Sequence, residues 1–152
     1  MPKRMTPTPP GTRKTLKEMS YEQQVIAWLM SDGWQVFTPV VDHGHKTDIL
    51  ISDGIQYFRI QIKTVEASSS DHIVRNQWDD LPLDCVIYFA RNSNWGCIAQ
   101  AFAENKRLLN DKRHVSFVQQ DKKSFLTAFH IVDIDAKGEA PEKRPEGVEE
   151  PS

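Results

Sequence analysis

The segment Tyr57–Thr64 reads YFRIQIKT, and its residues alternate in character. In an extended strand Tyr57, Arg59, Gln61 and Lys63 face one way, and Phe58, Ile60, Ile62 and Thr64 face the other. The apolar set suits a core and the polar set forms a row, although an ordinary solvated strand alternates in the same way. Asp48 makes the row a candidate for chemistry. It opens a short apolar run that is followed by the turn-forming residues Ser52, Asp53 and Gly54. In a regular antiparallel hairpin, cross-strand partners share a face. A two-residue turn at Asp53–Gly54 puts Asp48 opposite Arg59. A turn centred on Gly54–Ile55, or a four-residue loop from Asp53 to Gln56, puts it opposite Gln61. Either register gathers a carboxylate, an amide oxygen and an ammonium on one face within about 5–8 Å. The two oxygen donors suit a hard divalent cation such as Mg²⁺. The lysine suits orienting or deprotonating water and stabilising charge that develops on a phosphate.

The elements that must position these residues are legible. Ser20–Asp32 carries Tyr21, Val25, Trp28 and Leu29 at helical spacing, with Ser20 and Gln23 as a capping box and Gly33 as the C-cap glycine. Trp34–Val41 is rich in strand formers, with Pro39 marking an edge or end. Residues 65–80 read as a loop with a short helix. Leu83–Ala90 is a continuous apolar run, as in a strand buried on both faces. Trp95–Phe102 and His114–Val118 read as strands, 104–113 as partly helical, and Lys123–Ile131 as a helix with Phe125, Leu126 and Phe129 on one face. The sum is an α/β domain around a small mixed sheet.

The flanks differ from this core. Residues 1–19 hold five bases against one acid and read as a basic flexible tail; residues 136–152 hold five acids against three bases and read as an acidic disordered tail. The domain between them, 20–135, has the usual single-domain size. No apolar stretch reaches the roughly 18 residues of a membrane span, and no secretory pattern follows the basic start. Cys85 and Cys97 read as small buried core residues of a reduced compartment. The net charge of −2 means that any contact with nucleic acid must come from local patches and metal ions.

Asp48-Ile-Leu-Ile, a hairpin and Gln61-Ile-Lys63-Thr together resemble the core of PD-(D/E)XK nucleases. The likeness is greatest to the branch with group I intron-associated homing endonucleases, where a QxK triplet replaces (D/E)xK. The resemblance covers roughly residues 20–102. It implies a restriction-endonuclease-like αβββαβ core and a metal-dependent DNA endonuclease of the homing or phage type, acting in the cytoplasm of a bacterial cell or phage-infected bacterium. It further implies Mg²⁺ or Mn²⁺ held by Asp48, Gln61 and the Ile62 carbonyl, with Lys63 catalytic. Glu22 matches the helical acid that such sites often add; it reads equally as a first-turn glutamate favoured by the helix dipole. The neutral Gln61 departs from the usual acid and weakens the expectation of two metal ions, and Lys46 stands in the proline region of the motif. A Holliday-junction-resolving or repair nuclease, or a non-catalytic DNA-binding or anti-defence protein on the same fold, is the alternative.

Other residues could touch double-stranded DNA. Arg75 lies in a polar, aromatic segment with His72, Asn76, Gln77 and Trp78, and Lys106, Arg107, Lys112, Arg113, Lys122 and Lys123 make 104–123 the most basic part of the core. Asp42, His43 and His45 lack a third ligand at metal spacing and read as a polar loop. Cutting two antiparallel strands with one site per chain implies a homodimer or homotetramer, with Phe125, Leu126 and Phe129 as one candidate contact besides their own core.

Overall fold

A computed structural model describes residues 5–41, 46–66, 69, 71–78 and 80–134. Helix α1 (Pro10–Ser31) is followed by strands β1 (Gln35–Phe37), β2 (Ile49–Ser52), β3 (Tyr57–Val65), β4 (Ile73–Arg75), β5 (Cys85–Ala90), β6 (Trp95–Gln100), β7 (Lys106–Leu108) and β8 (Val115–Val118). Helix α2 (Lys122–Val132) closes the series. Six strands form one sheet in the order β1-β2-β3-β5-β6-β8, and β4 pairs with β7 in a separate two-stranded sheet. Only β3 and β5 run parallel within the large sheet; its other neighbours are antiparallel.

The run CVIYFA becomes β5, and every residue of it is buried. Its alternate side chains feed two cores. Cys85, Ile87 and Phe89 join Tyr21, Val25 and Leu29 of α1 and Phe125, Ala128 and Phe129 of α2. Val86, Tyr88 and Ala90 join Val74, Trp78, Cys97, Phe102 and Leu109 on the opposite face, beneath β4 and β7. Tyr21 stacks on Phe89 with ring centroids 4.3 Å apart, which fixes the rotation of α1 over the sheet. Phe125 and Phe129 are thus spent on the core of their own chain and leave the candidate contact between copies. Cys85 and Cys97 are free and buried.

Helix α1 begins ten residues before the expected start. Pro10 occupies the first turn, where its missing N–H costs no hydrogen bond, and Ser20 is mid-helix, its hydroxyl donating to the Lys17 carbonyl rather than capping. Residues 10–19 are therefore helical, which corrects that part of the flexible tail. Glu18 anchors this extension. Its carboxylate meets Arg91 at 2.7 Å, and the same guanidinium meets Glu66 at 2.7 Å. The acidic tail 136–152 lies outside the described residues.

Two further expectations change. Where an αβββαβ core implies a helix between the third and fourth core strands, the described residues there hold β4 and no helix. The segment 104–113 forms β7 and turns instead of a partial helix. Asn76 shows why the first of these segments is pinned in extended form. Its amide donates to the Phe102 carbonyl, its own N–H bonds the Asn105 carbonyl, and its side-chain oxygen accepts from Trp78 N–H. Among the described residues no helix is long and apolar enough to cross a membrane.

Gly96 tests the tightness of the sheet. A Cβ at this position would lie 2.4 Å from the Tyr88 carbonyl oxygen and 2.5 Å from Phe117 Cζ. Backbone cannot yield as a flexible side chain can, so Gly96→Ala should destabilise the domain by about 1–3 kcal/mol. A urea melt should show a lower midpoint, and an unchanged midpoint would contradict this packing.

Candidate active site

The hairpin loop decides which register the site adopts. Asp53 Oδ1 accepts the N–H groups of Ile55 and Gln56 at 2.9 and 2.8 Å, and Ser52 Oγ accepts that of Gly54 at 3.0 Å. These local bonds close a four-residue loop in which Ser52 pairs with Tyr57, Leu50 with Arg59 and Ile49 with Ile60. Asp48 therefore arrives beside Gln61. Its own N–H bonds the Ile60 carbonyl at 2.9 Å, the residue that Ile49 already pairs with, so Asp48 sits as an extra residue at the strand's end.

The carboxylate then takes over from the ladder. Asp48 Oδ2 accepts the Ile62 N–H at 2.6 Å, in the place where a further residue of β2 would have bonded it. One residue's N–H and C=O leave a strand on the same edge, so the Ile62 carbonyl also turns toward the edge that Asp48 occupies. On the other edge, Asp84 fixes β3. Its carboxylate accepts the Arg59 N–H at 2.8 Å, and its own N–H bonds the Arg59 carbonyl at 2.9 Å.

Gln61 is only 8% exposed, and its Oε1 is buried with no hydrogen-bond partner in the structure. An unsatisfied buried polar atom costs about 1–3 kcal/mol. The register brings Gln61 next to Asp48 along the strand pair, and an amide oxygen, a carboxylate and a backbone carbonyl are the hard oxygen donors that suit a divalent cation. Neutral Gln61 leaves Asp48 as the single anionic donor of this row. Among the described residues no group of three or more His, Cys, Asp or Glu could hold a metal ion.

Lys63 is half-buried, and burial pushes its pKa below the ordinary lysine value; Lys46 lowers it further, and Asp48 opposes the shift. Its ammonium donates to Gln77 Oε1. Lys46 itself holds a left-handed backbone with φ 58°, a conformation that costs a non-glycine residue roughly 1–3 kcal/mol and that gathers at functional sites. In the sequence Lys46 falls in the proline region of the motif and Gln77 in a polar segment that could touch DNA, and neither is marked there as a partner of Lys63. Gln77 lies 14 residues from Lys63 and reaches it only because the segment after β4 folds over this face.

The structure separates the remaining candidates. Glu22 is half-buried on α1, next to Tyr21, and so belongs to the layer on the opposite face of the sheet from Lys63. It lies mid-helix, which removes the first-turn dipole reading. Arg75 and Lys106 are exposed cross-strand partners on the small sheet that covers the site face. Arg107 is committed elsewhere: its side chain is 10% exposed, pairs with Glu104 at 3.0 Å and lies 4.2 Å over the Phe102 ring. Arg113 is likewise held by Asp111 and Glu104, at 2.8 and 3.0 Å. Lys112 is exposed in the turn before β8, while Lys122 and Lys123 open α2 in the helical layer, away from the row. Asp42, His43 and His45 lie outside the described residues. His130 bonds Asp32 at 2.9 Å, a structural pair.

Comparison with known proteins agrees with this architecture. No protein-family model matches the sequence, and no curated protein matches it. Among solved structures, the bacterial homing endonuclease I-Ssp6803I aligns with 78% of this chain and 89% of its own, at 18% identity and a TM-score of 0.50. The chain has the restriction-endonuclease-like fold. Archaeoglobus fulgidus Hjc, a Holliday junction resolvase, aligns with 60% of this chain and 84% of its own, at 13% identity and a TM-score of 0.44.

The buried lysine has a measurable consequence. A lysine whose folded pKa is depressed supports the fold above its unfolded value and opposes it as pH falls. Lys63→Met should therefore raise Tm at neutral pH, and the gain should fade as pH approaches the ordinary value of 10.5. Differential scanning fluorimetry over that range reads this directly, and an unchanged Tm at neutral pH would contradict the desolvation of Lys63.

Proposed function

We propose that this chain is a metal-dependent DNA endonuclease of the homing or phage type, hydrolysing phosphodiester bonds with the Asp48–Gln61–Lys63 row. The observation that carries the reading is the buried, unpartnered Gln61 Oε1 in the same row as an oriented carboxylate and a half-buried lysine. Asp48, Gln61 and the Ile62 carbonyl would hold Mg²⁺ or Mn²⁺. When bound, such an ion polarises a phosphate and makes water more acidic.

The chain's own groups supply the rest. The Ile62 N–H holds one oxygen of Asp48 and so orients the carboxylate. Gln77 holds the Lys63 ammonium over the row. The lowered pKa of Lys63 lets a larger fraction lose its proton near neutrality, so Nζ can take the proton of the attacking water. Arg75 and Lys106, exposed above the same face, would meet the phosphate backbone of double-stranded DNA. Cutting both strands calls for two such sites related by a two-fold axis, so the working unit would be a homodimer or homotetramer.

Plasmid nicking in Mg²⁺ tests the assignment. Asp48→Ala and Lys63→Ala should each lower the rate by roughly 10²–10⁴-fold while circular dichroism shows both variants still folded, and the wild-type rate should rise with pH until Lys63 is deprotonated. Equal nicking by all three proteins would refute it. Light scattering on DNA checks the assembly, and a monomer would favour single-strand nicking.

A further inference from the structure

The polar row continues beyond the residues assigned to hydrolysis. Phe37, Leu50 and Arg59 lie in one line across β1, β2 and β3. Arg59 shares the face of Gln61 and Lys63, two residues along the same strand, so this line lies about 6.6 Å from Gln61. Between them the residues line an open groove of about 310 Å³, whose walls include Phe37, Pro39, Thr47, Leu50 and Arg59. Tyr57 flanks it, its ring centroid 6.1 Å from that of Phe37. Phe37 is 38% exposed and Tyr57 60%, so both rings reach solvent on the working side of the sheet.

We propose that this groove receives a single unstacked nucleobase from the DNA strand held at the Asp48–Lys63 row. The proposal deepens the nuclease reading and rests on it for the position of the phosphate. The occupant follows from the chemistry of the walls. Aromatic rings stack on the face of any base, and a guanidinium suits both planar stacking and a neighbouring phosphate. The volume lies at the low end of the roughly 300–1,000 Å³ found for small-molecule sites, which suits one base. A concave, apolar wall receives a ring, whereas side chains that kink duplexes protrude as wedges.

A base inside a duplex hides both faces in the stack, and extruding it costs least where it is mismatched or already unpaired. The site is therefore selective for DNA that carries unpaired nucleotides beside the scissile phosphate: bubbles, flaps or branch points.

Fluorescence anisotropy without divalent metal separates binding from cleavage. The probes are a fully paired duplex and the same duplex with a short central bubble. The wild type should bind the bubbled probe more tightly. Phe37→Ala and Tyr57→Ala should each weaken binding to it by roughly 5- to 150-fold, the worth of one base stacked on an aromatic ring, with paired-duplex affinity and Tm preserved. Equal affinity of the wild type for both probes, or an equal loss on both probes in the variants, would overturn the proposal. So would binding to neither probe. So would dimerisation abolished by Phe37→Ala, which would seat a second copy in the groove. A bubble preference lost in both variants, together with no Mg²⁺-dependent cleavage by the wild type, would support the base site and refute only the nuclease reading.

Discussion

The site depends on one hydrogen bond, from the Ile62 N–H to Asp48 Oδ2 at 2.6 Å. It ends the β2–β3 ladder with a side chain in place of backbone, so the two strands part where the polar row begins. The bond holds the carboxylate beside Gln61 and leaves the Ile62 carbonyl on the same edge. A charge-assisted bond of this kind is roughly twice as strong as a neutral one, enough to hold a strand end that has lost its neighbour. Around it the chain tolerates an unsatisfied amide oxygen, a left-handed lysine and a desolvated ammonium. Each works against stability, and all lie in or beside one row.

The rest of the fold keeps that row rigid. β5 is buried on both faces and pairs in parallel with β3 from Ile60 to Val65. Asp84 locks the entry of this pairing, and at its far end Arg91 N–H bonds the Val65 carbonyl at 2.9 Å. The Arg91 guanidinium joins that end of the sheet to α1 through Glu18. The helical layer thus supports the site from behind, and the β4–β7 layer covers its front and supplies Gln77 to Lys63.

The sequence made the polar row legible because period-two alternation is local and the hairpin loop is short. Asp48, Gln61 and Lys63 needed only a strand, a turn and a register. The double-sided burial of β5 was equally plain in an unbroken apolar run. What was hidden depended on tertiary contacts. Helix α1 starts early because Pro10 can open a helix and Glu18 finds a partner in Arg91, far away in the chain. The basic stretch 104–123 looked uniform, yet Arg107 and Arg113 are tied to Glu104 and Asp111, and Lys122 and Lys123 lie in the other layer. Nothing local in the sequence marks Gln77 as the partner of Lys63.

The central claim is that Asp48 and Gln61 form a divalent-cation site, and Mn²⁺ titration followed by electron paramagnetic resonance tests it without DNA or cleavage. The wild type should bind Mn²⁺ measurably. Asp48→Asn should weaken binding by about tenfold or more, and Gln61→Glu, which adds a second anionic donor, should tighten it. Identical titrations of the three proteins would contradict the account.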